Sequence, residues 1–484
     1  MFDKEQFDIE MENARQKQIE DLADYLADYI KSNARIREKS INNGIDEEAI
    51  KRIENMTIPQ KGRDIKEASD ELVNDILKYS MLLQHPRFFS FVASAVSPYS
   101  LAGTILTDIY NPHGGGWNIA PGACLIEEKL IKWMGSLASY PEDTCGGLFV
   151  SGGSMANLTA LIAARNNRLD EYDYPKGVAY LSDQTHSSVS KGLRLIGFRR
   201  DQIVKIPTDD DFKMRVDLLE EQIKLDMSEG KKPFVVIGTI GTTNTGSIDP
   251  LPEIGEICKN YNLWFHIDGA YGGSILFSDI YRNLARGIEK SDSFSWDTHK
   301  WALQTYSCSS IIVKDKVNLL NAFAEHPEYL EDVINEDHAD PWNLGQEMTR
   351  PHRSLKLWLT LQALGTDKLA DIIDYSFFNA KTVEKELSSR SGWEIMSKPS
   401  CGAITFRYVP KGYTDEQVDE LTSQICNAIN SSGYAYIVTS TIKGKRIIRL
   451  CLVNGNTTTE DVINTIEKLD EIAHELSEKN LKRS

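Results

Sequence analysis

The sequence lacks every cysteine pattern that carries structure or metal. Its seven cysteines (Cys124, Cys145, Cys258, Cys308, Cys401, Cys426 and Cys451) stand singly and are odd in number, with no CxxC and no Cys/His ligand spacing. A disulfide framework and a zinc site are thereby disfavoured, and a reducing compartment fits best. Long apolar runs are also missing, so no membrane span is expected. The first ten residues have no basic stretch leading into an apolar one, so no secretory signal is read there. Positive charge is scarce: 54 Lys and Arg stand against 71 Asp and Glu, a net charge of −17. Phosphate backbones need clustered cations, which disfavours a broad nucleic-acid surface. A small anion needs only a local positive pocket and is not disfavoured. The expectation is a soluble cytoplasmic protein with no nucleic-acid and no membrane partner.

What is present is an ordinary globular composition, 41% hydrophobic and 26% charged over 484 residues, enough for more than one lobe. Residues 1–84 are polar with helical spacing of apolar positions (Ile19, Leu22, Tyr25, Leu26, Ile30). Such helices need a surface to cover. From about residue 100, short β-branched runs alternate with helical stretches, at 147–150, 178–181, 234–237, 263–267 and 310–313. That alternation predicts an α/β fold with a mostly parallel sheet between helices. After Pro351 a long helical pattern begins (Leu355, Leu357, Trp358, Leu361, Leu364). Strands are then expected at 403–408, 435–438 and 447–453, with an amphipathic helix near 460–478. The expected division is a helical arm at 1–84, an α/β domain at 85–355 and a small α+β domain at 356–484, hinged near 340–365.

Four segments have chemical possibilities. Residues 151–157 (SGGSMAN) follow a strand and open a helix, which makes either a phosphate cup, with Gly153 and Ser154 as its centre, or a tight turn with Ser154 as helix cap. No lysine follows the glycines, so this is not a nucleotide-triphosphate loop. Asp268 ends an apolar strand, where an open α/β sheet places its ligand crevice. It is either a turn former or a partner for a basic ring nitrogen. Lys300, between His299 and Trp301, sits in an apolar stretch. Burial would depress its pKa and supply the neutral amine that imine chemistry needs. The alternative is a surface lysine with a packed stem. His186, within 182–189 (SDQTHSSV), is either a ring contact or a polar loop residue. In order, these segments form an inventory for an aromatic cofactor with a phosphate tail, a basic ring nitrogen and an aldehyde.

With His85-Pro-Arg-Phe-Phe, Gly241-Thr-Thr243, residues 266–273 (HIDGAYGG) and 297–301 (DTHKW) added, the chain resembles the group II pyridoxal 5'-phosphate (PLP) decarboxylases, among them aromatic-amino-acid and bacterial tryptophan decarboxylases. The resemblance runs from about His85 to beyond Gly365. It implies the PLP-dependent transferase fold type I and a homodimer whose N-terminal helices wrap the partner, with the active site at the interface. It also implies roles. Lys300 would bind the cofactor's aldehyde, Asp268 its ring nitrogen, and His186 would stack on the ring. Gly153, Ser154 and His299 would contact the phosphate, and Ser94, Thr243 and Asp297 would make further contacts. Asp297 departs from the Asn of animal members. Residues 325–333 resemble the mobile catalytic loop, with Tyr329 as the proton donor to the substrate α-carbon. Members with Phe there tend toward oxidative aldehyde synthesis.

The reaction implied is loss of CO2 from an amino acid. Phe91, His113, Ile119 and Trp342 are the substrate-pocket residues by resemblance, apolar or aromatic as a flat side chain requires. No Arg is evident among them, which disfavours glutamate. Gly114, Gly115 and Gly116 stand where animal members carry a bulky aromatic, which is expected to make room for indole, so tryptophan ranks first and phenylalanine and tyrosine follow. An aminotransferase or sulfur lyase on the same fold is the competing reading, although no cysteine lies at 325–338. A silent PLP-binding scaffold is a further one.

Overall fold

The computed structural model describes residues 4–33, 35–325 and 338–481. Runs of β-branched and aromatic residues form a seven-stranded sheet: β1 (Gly146–Val150), β2 (Gly177–Ser182), β3 (Ile203–Ile206), β4 (Lys232–Thr239), β5 (Trp264–Asp268), β6 (Ser293–Trp296) and β7 (Ser309–Val313), ordered β1-β7-β6-β5-β4-β2-β3. The run β6-β5-β4-β2-β3 is parallel, and β7 lies antiparallel between β6 and β1. Side chains alternate between two apolar clusters. Val236, Phe265 and Ile267 enter one, while Val235, Ile237 and Trp264 enter the other. This is the two-residue period of a strand buried on both faces. Burying each such side chain contributes about 1.5–3 kcal/mol. Helix Gly153–Arg168 covers one face through Ala156, Ala160 and Leu161, and helix Leu251–Tyr261 covers the other through Leu251, Ile254 and Ile257.

A second sheet is antiparallel, made of β8 (Trp393–Ser400), β9 (Ala403–Tyr408), β10 (Val438–Ile442) and β11 (Lys445–Cys451) in the order β10-β11-β9-β8. Helices Thr366–Ser388, Asp415–Ser431 and Thr459–Leu481 seal it with Val383, Leu387, Leu421, Ile425, Ile466 and Leu469.

The strand expected at 435–438 is displaced. Residues 435–437 form only a single bridge, Tyr436 to Phe88, and the strand begins at Val438. The backbone of Tyr436 is engaged instead by Arg87 and Phe89. Three strands escape an apolar-run criterion. β3 and β8 lie at sheet edges, and β6 reads Ser-Phe-Ser-Trp, with serines opposite Val313 and Ile311 of β7 and opposite His266 and Asp268 of β5.

The arm begins with helix Lys4–Asn33, which meets the later helix Ile65–Glu71 through Tyr25, whose hydroxyl donates to Asp70 at 3.1 Å. Ile19, Leu22, Leu26 and Ile30 remain exposed on it. Among the described residues no helix is long and apolar enough to cross a membrane. All seven cysteines are buried and unpaired.

Candidate active site

The carboxyl ends of β4, β5 and β6, with the turn after β1, enclose a cavity of about 410 Å³. Gly153, Ser154, His186, Thr243, Asp268, Asp297, His299 and Lys300 all line it. These residues are far apart in sequence, and the sheet brings them together.

Helix Gly153–Arg168 is capped by Gly152, and no side chain closes its N-terminus. Ser154 lies in the first turn and is not the cap, which removes the tight-turn reading offered by the sequence. Uncapped N–H groups at a helix start are donors for an anion. A Cβ at Gly153 would lie 2.7 Å from Asp297 Oδ2 and 2.9 Å from the Ala270 Cβ, so only glycine lets this turn sit against the opposite wall.

Asp268 is the last residue of β5 and is 5% exposed. Its carboxylate accepts from Asn157 Nδ2 at 3.0 Å, from the Ala270 N–H at 3.2 Å and from Ser295 Oγ at 3.4 Å. Lys300 Nζ lies 2.8 Å from Asp297 Oδ2. Burial pulls the lysine pKa down, but the charge and hydrogen bond of Asp297 outweigh it, so the net shift is upward. This corrects the expectation of a depressed amine: the ligand-free lysine is held as an ammonium by its ion pair. The second oxygen of Asp297, Oδ1, is buried with no hydrogen-bond partner among the described residues. His299 is kept neutral because burial lowers its pKa, and its ring meets the Tyr306 ring edge-on at 4.9 Å. His186 precedes helix Ser187–Leu195, and its Nδ1 accepts from the Ser188 N–H at 3.2 Å.

Other expected residues lie elsewhere. Ser94 is buried and its hydroxyl donates to the Val453 carbonyl, so it does not reach the cavity. Phe91, His113, Ile119 and Trp342 do not line it either. His113 and Trp342 meet at 6.4 Å, whereas Phe91 packs on Phe88. The room expected at Gly114–Gly116 is already filled: a Cβ on Gly116 would be 2.8 Å from the Trp342 ring, and one on Gly115 2.2 Å from the Met348 carbonyl. These glycines admit Trp342, not a ligand. Tyr329 lies outside the described residues.

Asn157, Ser188 and Tyr306 also line the cavity and were not assigned a role from sequence. Asn157 had a legible signal, since it falls one helical turn after Gly153 and so shares its face. Tyr306 had none, because nothing in its neighbourhood marks it as a cavity wall. A buried ion pair braces the site from behind. Glu127 Oε1 accepts from the Phe149 N–H and from Arg350, and Arg350 also donates to the carbonyls of Phe149 and Gly114.

An uncapped helix start, a carboxylate at a strand end, a neutral imidazole and an amine within one cavity define a site for an aromatic aldehyde with a phosphate tail. The fit is specific at Gly153, where a side chain would fill the cradle. The chain matches the pyridoxal-dependent decarboxylase conserved domain over residues 48–409 and belongs to that family. It is 34% identical to an aromatic-L-amino-acid decarboxylase of Bacillus atrophaeus over 91% of this chain and 92% of that one. It is 30% identical to an L-2,4-diaminobutyrate decarboxylase of Rhizobium meliloti, over 87% and 84% of the two chains. The structure of Catharanthus roseus tryptophan decarboxylase in complex with L-tryptophan superposes with a TM-score of 0.85 at 28% identity, covering 98% of this chain and 99% of that one. The protein is therefore a PLP-dependent amino acid carboxy-lyase of fold type I.

Proposed function

We propose that this chain decarboxylates aromatic L-amino acids, with tryptophan ahead of phenylalanine and tyrosine, giving the amine and CO2. The observation carrying the aromatic reading is the cavity lining. Among the described residues it contains no arginine, and the exposed ring of Tyr306 stands in its wall. A substrate with a distal carboxylate would lack a cationic partner there. One with a distal ammonium would find Asp268 already bonded to three donors. The names of the Bacillus and Catharanthus proteins favour the same class.

Lys300 is assigned as the cofactor anchor, Asp268 as the partner of the ring nitrogen and His186 as the group stacked on the ring. Gly153, Ser154 and His299 are assigned to the phosphate, and Thr243 to a further contact. When bound, PLP supplies a ring that takes up the electron pair released with CO2. Asp268 keeps the ring nitrogen protonated by its adjacent negative charge. Asp297 holds the Lys300 ammonium through Oδ2 in the cavity wall. The proton for the α-carbon is assigned to Tyr329 on the resemblance alone.

A second copy of the chain belongs to this reading. Leu106, Ile109 and Tyr110 form an exposed apolar strip on helix Pro98–Tyr110, and Phe91 and Ile119 are half exposed without lining their own cavity. In a homodimer they would face the partner and its substrate.

The test is to supply the PLP-loaded enzyme with Trp, Phe, Tyr, Glu and 2,4-diaminobutyrate and measure the amines formed. Tryptamine formed fastest is the expected result. Preference for glutamate or diaminobutyrate would remove the lining argument.

A further inference from the structure

Behind Asp268 runs a line of buried polar groups. Trp264 Nε1 donates to Ser293 Oγ at 2.9 Å, and Ser293 Oγ lies 2.9 Å from His266 Nδ1. His266 Nε2 lies 3.0 Å from Asn157 Oδ1. The Asn157 amide then forks, with Nδ2 donating to Asp268 Oδ2 at 3.0 Å and to Ser188 Oγ at 3.1 Å. Ser188 Oγ in turn lies 2.9 Å from His186 Nδ1.

The two ends of this line fix its direction. An indole N–H can only donate, and an ionised carboxylate can only accept. Ser293 Oγ accepts from Trp264, and its other side-chain partner among the described residues is His266 Nδ1, to which its own proton is assigned. His266 then carries its own proton on Nε2 and gives it to Asn157 Oδ1. Working back from Asp268 leads to the same answer. Turning the Asn157 amide over would set its oxygen against the carboxylate and leave two oxygens facing each other. Burial holds His266 neutral, with its pKa pushed down to about 4 against the pull of Asp268. The fork also determines the other branch: Ser188 accepts from Asn157, so its hydroxyl proton goes to His186 Nδ1.

The geometry points to Asn157 as a positioning residue that, oriented by Trp264, Ser293 and His266, holds Asp268 as an acceptor and His186 as its Nε2–H tautomer at once. This deepens the functional reading and rests on it for what Asp268 and His186 touch. Its consequence is that the acid behind the ring is set by one amide before any ligand arrives, and that the same amide, through Ser188 Oγ, joins the Ser188 N–H in setting the imidazole over it.

Neutron diffraction from ligand-free crystals reads the protons directly. Deuterium is expected on Nε2 of both His266 and His186, with none on their Nδ1 atoms and none on Asp268. Deuterium on Nδ1 of His266, or on Asp268, would overturn the assignment. In solution, Asn157→Leu keeps the shape and removes the amide. It is expected to weaken PLP binding, measured by equilibrium dialysis, by roughly ten-fold, and to move the visible absorption band of the bound cofactor. A purely structural Asn157 would lower the melting temperature and leave band and affinity at their wild-type values, which would also overturn it. If the variant does not fold, the neutron map still decides. A wild-type protein that binds no PLP would sink the functional reading and leave the proton placement standing; a wrong tautomer would do the reverse.

Discussion

The large and small sheets use the same backbone device for opposite ends. In the small sheet, Ile404, Phe406, Ile448 and Leu450 face three helices through a wholly apolar layer. Its buried charge is turned away from that layer, as in Arg407, which reaches out to Glu394 and Asp415. In the large sheet the apolar layers stop at the strand ends, where Thr239, Asp268, Ser295 and Asp297 are all nearly inaccessible. Polar groups at such depth are costly unless each finds a partner. Asp268 and Ser295 do so here through directed bonds, and among the described residues Thr239 Oγ1 and Asp297 Oδ1 are left over. The contrast teaches that one lobe spends its burial on stability and the other holds reactive groups in a dry, pre-aligned cavity.

Substitutions in the two regions should therefore separate. The largest effect is expected from Lys300→Ala, which removes the anchor. Decarboxylation measured by amine release should fall by three orders of magnitude or more, about 4 kcal/mol, while urea denaturation stays near wild type. Next, Phe406→Ala in the small sheet should cost about 3–5 kcal/mol in urea denaturation, with the absorption of bound cofactor unchanged in the folded fraction.

Arg350→Met blurs the comparison, since it strips a buried partner from Glu127 beside the cavity. A loss of about 3–5 kcal/mol is expected by the same measurement. The pH dependence is a further check on that pair. Burial raises the Glu127 pKa, but the Arg350 charge, the nearby His352 ring and the hydrogen bonds from Arg350 and the Phe149 N–H outweigh it and bring it down to about 2, from 4.5. A depressed carboxylate stabilises the fold above its unfolded pKa and loses that contribution as pH falls through the folded one. Acid titration between about pH 4.5 and about pH 2 should therefore erode stability in the wild type, and less steeply in Glu127→Gln. The smallest effect is a shift. Asp297→Asn removes the charge that raises the Lys300 pKa, so the pH at which ligand-free enzyme captures PLP should move downward, as followed by absorbance.

Much of this arrangement was legible in the chain, for reasons that differ between residues. The strands at 234–237 and 264–268 announce themselves because both faces are buried and the runs are apolar apart from His266 and the closing Asp268. Asp268, Lys300 and the turn at Gly153 were legible for that reason, as breaks in apolar context. β6 was missed because Ser293 and Ser295 serve the hydrogen bonds behind Asp268, which makes the strand look like a loop. The rise in the Lys300 pKa was missed because the approach of Asp297 to the amine is a matter of geometry, not of composition. The packing of Trp342 onto Gly115 and Gly116 joins positions more than two hundred residues apart, and no local pattern encodes it.

Reduction of the PLP-loaded enzyme with borohydride, followed by peptide mass analysis, asks where the cofactor is held. A pyridoxyl-phosphate label on the peptide containing Lys300, and on no other lysine, is the result expected. A label elsewhere, or a full label in Lys300→Ala, would contradict the account.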